Sequence, residues 1–451
     1  MTVIDHNKLR QFFLPWTLVS CCALAACETP APRNDVPTAD AVTEASMAND
    51  ADVATVDMPT VDMPTPDAPS EDVAAGGDGG SQDADVPPSD VPSAPVCMPG
   101  ATEFQPRSMA ARVAPWNMCP MGVPNADTWV AFAMDINAAN RVQTIDVLDR
   151  PGALFDPTRD PAPMEFINAD MIFQSNGVAA RFQRRPDEHY GPAPGIPLDA
   201  AYQDFCRNAA NAMANRDYCA GPNFLNPVYV AGITAGMSGM PAPSRIHAAR
   251  IQAAYYWWAY LSIYKESLTC APVVADCDAS FGYFSGGAAR NAMTQYGLGR
   301  ALLALGDPGR AAFDRIWDGL LAVRCWRDQD GGRAVPPANA TNAMLREQAR
   351  NQLETAITRG MALLIQARLR AFASTEGNAM RAAERQAHAA WLGVIGPLLA
   401  RAIEVWVPAR YPNSNAMVRA RAMAALARGE MISSAEAGRT ASDLEAIFPC
   451  P

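Results

Sequence analysis

Lysine is almost missing from this chain: Lys8 and Lys265 are the only two among 451 residues. Without a Gly-x-x-x-x-Gly-Lys run, a phosphate-cradling P-loop is excluded. Histidine is scarce too, and only His189, His247 and His388 lie beyond the first 26 residues. No His-Glu-x-x-His occurs, which removes the helix-borne zinc-protease site. Ser238 sits in Gly236-Met237-Ser238-Gly239-Met240, which lacks the closing glycine of a hydrolase elbow. There is no Cys-x-x-Cys pair, so thioredoxin-like and zinc-ribbon chemistry fall away as well. Arginine stands in for lysine almost everywhere, a coding bias rather than a basic surface for nucleic acid.

What is present begins with an export signal. Lys8 and Arg10 precede an apolar run from Phe12 to Ala26 that ends in Leu24-Ala25-Ala26-Cys27, a lipobox. The run is too short for a comfortable membrane span and has the flanks of a signal peptide. The expectation is a signal over 1–26, with Cys27 lipidated and the membrane as a partner through that lipid. Glu28, rather than Asp, follows the cysteine, so an outer-membrane address is expected. Eight cysteines remain: Cys97, Cys119, Cys206, Cys219, Cys270, Cys277, Cys325 and Cys450. An even count in an exported chain reads as disulfides. Loop-closure entropy favours near neighbours, pairing Cys97 with Cys119, Cys206 with Cys219 and Cys270 with Cys277, and leaving Cys325 for Cys450.

The net charge of −11 is unevenly spread. Residues 27–96 form an acidic linker rich in Asp, Pro, Ala and Thr, with 15 acidic residues against Arg33 alone. It repeats Val56-Asp57-Met58-Pro59-Thr60 as Val61-Asp62-Met63-Pro64-Thr65 and holds no aromatic residue, so it cannot offset the entropy of ordering. The remainder, 97–451, is close to neutral, and neither a polyanion nor an acidic surface is implied as its partner.

The fold class expected for 97–451 is all-α: a helical bundle with a loop-rich, Pro-rich amino-terminal portion up to about Leu198. Helices are expected over Asp199–Asn215, from a Ser244 cap to about Leu268, and from Asp307-Pro308 to about Trp326. Others should cover Met344–Phe372, Met380–Trp406 with a kink or break at Pro397, Ser414–Arg428 and Ser434–Phe448.

Two constellations could carry chemistry. His247, Ile251, Ala254, Trp258, Leu261 and Lys265 recur at spacings of four and three, a stripe expected to be mostly core. Its polar ends, His247 and Lys265, together with Asp276 and Asp278 beside Cys277 and the Phe281-Gly282-Tyr283-Phe284 turn, form a candidate binding rim. Separately, Glu384 and His388 share a helix face, and Glu347 and Glu354 lie on the preceding helix. Facing helices can bring such groups together, and carboxylates with imidazole suit iron or manganese. Arg350, Arg381 and Arg385 are equally placed to satisfy these acids as ordinary ion pairs.

Lys265-Glu266-Ser267-Leu268-Thr269-Cys270, Asp276-Cys277-Asp278, Phe281-Gly282-Tyr283-Phe284 and Ala387-His388-Ala389-Ala390-Trp391 resemble segments of helical bacterial lipoproteins. These are related to algal periplasmic iron-assimilation proteins and, more distantly, to imelysin-like proteins. The likeness spans Ser244 to Trp406. It implies an α-helical envelope protein associated with iron acquisition, though the imelysin Gly-x-His-x-x-Glu pattern is missing. Three functional classes follow: a metal- or ligand-binding lipoprotein, a structural lipoprotein recruiting an envelope partner through its aromatic helix, and a hydrolase without a recognisable motif.

Overall fold

A computed structural model describes residues 136–191, 205–239, 242–270, 273–290, 292–329, 343–411 and 414–448. The signal, Cys27, the linker, Cys97, Cys119 and Cys450 lie outside the described residues, as does the side chain of Cys325. The described part is all-helical, with no strand. Its helices are α1 (Ile136–Asp146), α2 (Pro163–Ser175), α3 (Val178–Phe182), α4 (Ala209–Ala214), α5 (Asn226–Ser238), α6 (Ser244–Thr269) and α7 (Val274–Ser285). They continue with α8 (Gly297–Leu303), α9 (Asp307–Gln329), α10 (Ala343–Ser374), α11 (Ala382–Val405), α12 (Val407–Arg410), α13 (Ala416–Leu426) and α14 (Ser434–Ile447).

Why α6 lies at the centre follows from its composition. Tyr255-Tyr256-Trp257-Trp258 are consecutive, and at 100° per residue they point to every side of the helix. A helix apolar all round must be buried all round. Indeed, the run from Ile251 to Ser267 is buried without a break, with α5, α7, α10 and α11 packed on it. Edge-to-face contacts lock the aromatics: Trp258 meets Phe182 at 5.7 Å and Tyr283 at 5.4 Å between centroids. The expected stripe is core, as its spacing suggests, but it has no solvent side at all.

The long helices α10 and α11 match the expected spans. Pro397 lies inside α11 and does not break it. Its ring removes the hydrogen bond that would reach Gly393, and it is there that Gly429, in the left-handed region at φ +56°, brings its backbone against Gly393. A Cβ at Gly396 would lie 2.7 Å from the Leu426 carbonyl, so glycine is what lets α13 approach.

Several expectations are corrected. The stretch before Leu198 is not merely irregular, because α1, α2 and α3 fall within it. Ser244 is the first residue of α6 rather than its cap, and its hydroxyl donates to the Pro161 carbonyl at 2.8 Å. Within the expected Asp199–Asn215 helix the described part is helical at Phe205 and over Ala209–Ala214, with a turn between and an Asn208 cap on the latter. The Phe281–Phe284 segment is the last turn of α7, not an aromatic turn, and α7 stops at Gly286 in the left-handed region at φ +61°. Two disulfides form as expected, Cys206–Cys219 and Cys270–Cys277.

Candidate functional site

Gln252 and Tyr256 lie four residues apart on α6 and so face the same way. Both reach Asp149, which ends a short 3-10 turn after α1: Gln252 Nε2 donates to one carboxylate oxygen and the Tyr256 hydroxyl to the other. Arg300 on α8 adds a third donor to Asp149 and binds Asp146 through Nε at 2.8 Å. Two carboxylates therefore more than neutralise Arg300. On its other side the Gln252 amide accepts, through Oε1, from Nη2 of Arg368 on α10 at 3.0 Å. Nη1 of that guanidinium donates to His388 Nδ1 on α11 at 3.1 Å, while the cation sits 5.2 Å from the centre of the Trp391 ring. His388 Nε2 faces Glu384 Oε1 at 3.3 Å, and Arg381 clamps Glu384 at 2.6 and 2.8 Å.

The chemistry fixes the protons along this chain. A guanidinium only donates, so His388 Nδ1 must be a lone pair, and its proton sits on Nε2 towards Glu384. Burial, then the charge of Arg368, push the His388 pKa down to about 4 against the pull of Glu384. Hydrogen bonds from Arg381, ahead of those from His388, hold the Glu384 carboxyl below its usual value although partial burial opposes them.

Asp149, Gln252, Tyr256, Arg300, Arg368, His388 and Trp391 line a cleft of about 340 Å3. The rest of the lining is apolar, built from Ala301, Ala304 and Leu305 at the end of α8 and from Leu364, Ala367 and Ala371, which share the face of α10 that carries Arg368. Arg368 is the exceptional member. It stacks on Trp391 and touches His388 and Gln252, both neutral, but among the described residues no carboxylate lies within ion-pairing distance of it. Burial pulls its pKa below the usual arginine value, which Asp149 and Glu384 only partly offset.

A pH effect follows from His388. Between its ordinary value of 6.5 and about 4 the unfolded chain binds a proton there that the folded chain refuses. The stability contribution is therefore complete above about pH 6.5 and lost as pH falls through 4, amounting to about 3 kcal/mol. Denaturant titrations at pH 7 and pH 4 should show the wild type losing about 2–3 kcal/mol more than His388→Gln. Equal losses would mean that His388 does not titrate in that window.

The expected iron ligands do not come together. Glu384 and His388 meet, as their spacing requires, but Arg381 and Arg368 occupy their free atoms. Glu354 is fourteen residues before Arg368 on α10, about 21 Å along the axis. There it is buried and accepts from the Tyr264 hydroxyl at 3.0 Å, the Trp406 indole and Arg350. Glu347 is exposed and paired with Arg350. Among the described residues no three His, Cys, Asp or Glu side chains gather to hold a metal ion.

Nor do the rim residues form a rim. His247 and Lys265 sit at opposite ends of α6, about 27 Å apart. His247 is buried, and its Nε2 has no hydrogen-bond partner among the described residues. Lys265 is buried on Glu266 at 2.9 Å, with Asp276 at 3.7 Å, and Asp278 pairs with Arg324 at 2.5 Å in the interior. These are internal ion pairs. The Tyr255–Tyr260 run is buried too and offers no docking patch.

Comparison with known protein families, with curated proteins and with solved structures returns no match for this chain. Among the described residues no helix is long and apolar enough to cross a membrane. Asp149, Arg300 and Arg368 escaped the sequence reading. Gln252 carried a signal, since a lone amide in a run this apolar must find polar partners.

Proposed function

We propose that the helical domain binds a small anion in the cleft between α6, α8, α10 and α11. Through a lipid at Cys27, the chain would present that domain on the envelope side of a membrane. The observation that carries this reading is Arg368. A partly buried guanidinium without a carboxylate is costly to keep, and here it borders a cleft large enough for a small molecule. An incoming anion would give Arg368 the direct ion pair it lacks. Binding fits the cleft better than nucleophilic catalysis, because both ring nitrogens of His388 are committed and no serine or cysteine lines the cavity. It also fits better than iron ligation, since each carboxylate of the expected ligand set is already paired with arginine.

The test is thermal unfolding of the purified chain in inorganic phosphate, sulfate, acetate, hexanoate or benzoate at constant ionic strength, with chloride as the baseline. At least one anion should raise the melting temperature of the wild type, and Arg368→Gln should weaken that anion at least tenfold, about 1.4 kcal/mol. If no anion stabilises the wild type, or if the variant responds equally, the cleft is not an anion site.

A further inference from the structure

We infer that the anion taken by this cleft is an organic monocarboxylate with a compact apolar body, its carboxylate on Arg368 and its body against the wall formed by α8 and α10. The inference rests on the anion-binding reading of the same cleft and narrows it to one class of ligand.

Charge comes first. Of the two arginines that line the cleft, Arg300 is spent on Asp146 and Asp149. His388 is neutral in its hydrogen-bonded form, its Nδ1 turned to Arg368. Asp146 and Asp149 together offset both arginines in net charge, but neither touches Arg368, so its guanidinium lacks a direct ion pair and a monoanion supplies one with the least excess negative charge. A phosphate dianion would leave a second charge facing Asp149 across a partly dehydrated wall, which is unfavourable. Geometry agrees. A guanidinium has five N–H donors in one plane, and Arg368 gives two of them, to His388 and Gln252. Those that remain suit the two coplanar oxygens of a carboxylate.

The apolar part of the lining then sets the rest of the molecule. Leu364, Ala367 and Ala371 recur at three and four along α10, beside Arg368 itself, and Ala301, Ala304 and Leu305 continue the surface from α8. This wall offers no hydrogen bond from a side chain. A bare inorganic ion would leave it wet, whereas a hydrocarbon body would cover it, each buried methylene being worth roughly fourfold in affinity.

Isothermal titration of the purified chain tests both halves of the proposal. Hexanoate and benzoate should bind at least tenfold more tightly than acetate, which supplies the head without the body. They should also exceed hexanamide and benzamide, which supply the body without the charge, and inorganic phosphate. Arg368→Gln should abolish the advantage of acid over amide. The exposed Ala304→Phe, which narrows the cleft without touching the core, should weaken hexanoate and benzoate at least tenfold and leave acetate within twofold. If phosphate or sulfate binds more tightly than hexanoate, the cleft is an anion site of another class and this inference fails alone. Equal binding of acid and amide also overturns it. If none of the anions binds, the inference and the anion-site reading fall together.

Discussion

Replacing Glu266 by alanine should destabilise the domain by about 3–5 kcal/mol, among the largest single-residue effects available in it. Glu266 is buried, and it takes a hydrogen bond from Lys265 at 2.9 Å and another from Arg185 at 3.3 Å. Both cations are themselves buried. Removing the carboxylate would leave two positive charges beside Asp276, 3.7 Å from Lys265, and Glu188, whose carboxyl is held up at about 8 by burial. Burial alone would raise the Glu266 carboxyl, but Lys265 and Arg185 outweigh it and hold it at about 2. Because the folded value is depressed, this contribution is present above the ordinary value of 4.5 and lost as pH falls towards 2. The gap between wild type and Glu266→Ala in urea titrations should accordingly be widest near neutrality and narrow below about pH 4. A gap under 1 kcal/mol at pH 7 would show that the cluster is hydrated rather than buried.

Trp258→Ala is expected to cost about 3–5 kcal/mol through the cavity it leaves. Trp258 has no exposed surface and stands among Phe182, Tyr255 and Tyr283, each within 6.0 Å between ring centres. These neighbours belong to three helices, α3, α6 and α7, so the surrounding structure cannot close the hole by moving one side chain. Trp258→Phe keeps most of the packing and should cost clearly less. Equilibrium unfolding followed by far-ultraviolet circular dichroism separates the two variants. A loss below 1.5 kcal/mol for the alanine variant would place Trp258 outside the cooperative core.

How far the sequence disclosed this molecule depends on the range of the interactions. Local rules found α10, α11, α13 and α14, whose residues favour helix and whose ends carry clear signals such as Asn415 and the Ser433–Glu436 capping box. Proline misled the reading of the first part of the chain. Pro163 stands in the first turn of α2, where it begins a helix instead of excluding one. Gly282 misled it again, because the glycine that ends α7 is Gly286. In the cleft, the contact between Glu384 and His388 was legible because positions four apart share a face. Arg368 was not, since its place beside His388 depends on how α10 crosses α6 and α11, a matter of packing rather than spacing. The near-neighbour cysteine pairs were legible for the reason that also limits the method: short loops close at little entropic cost, and long ones leave no local trace.

The all-round burial of α6 also has a consequence in time. A ribosome or a translocation pore delivers the chain from its amino terminus, and α6 emerges long before some of the helices that cover it. Its partner α5 precedes it, but α10 and α11 follow, and the last residue of α11 is Val405. Until then four consecutive aromatic residues have no shelter on that flank. The domain cannot be assembled piecewise from its amino-terminal half, and any fragment ending before α11 leaves one flank of this aromatic-rich helix exposed to whatever it meets first.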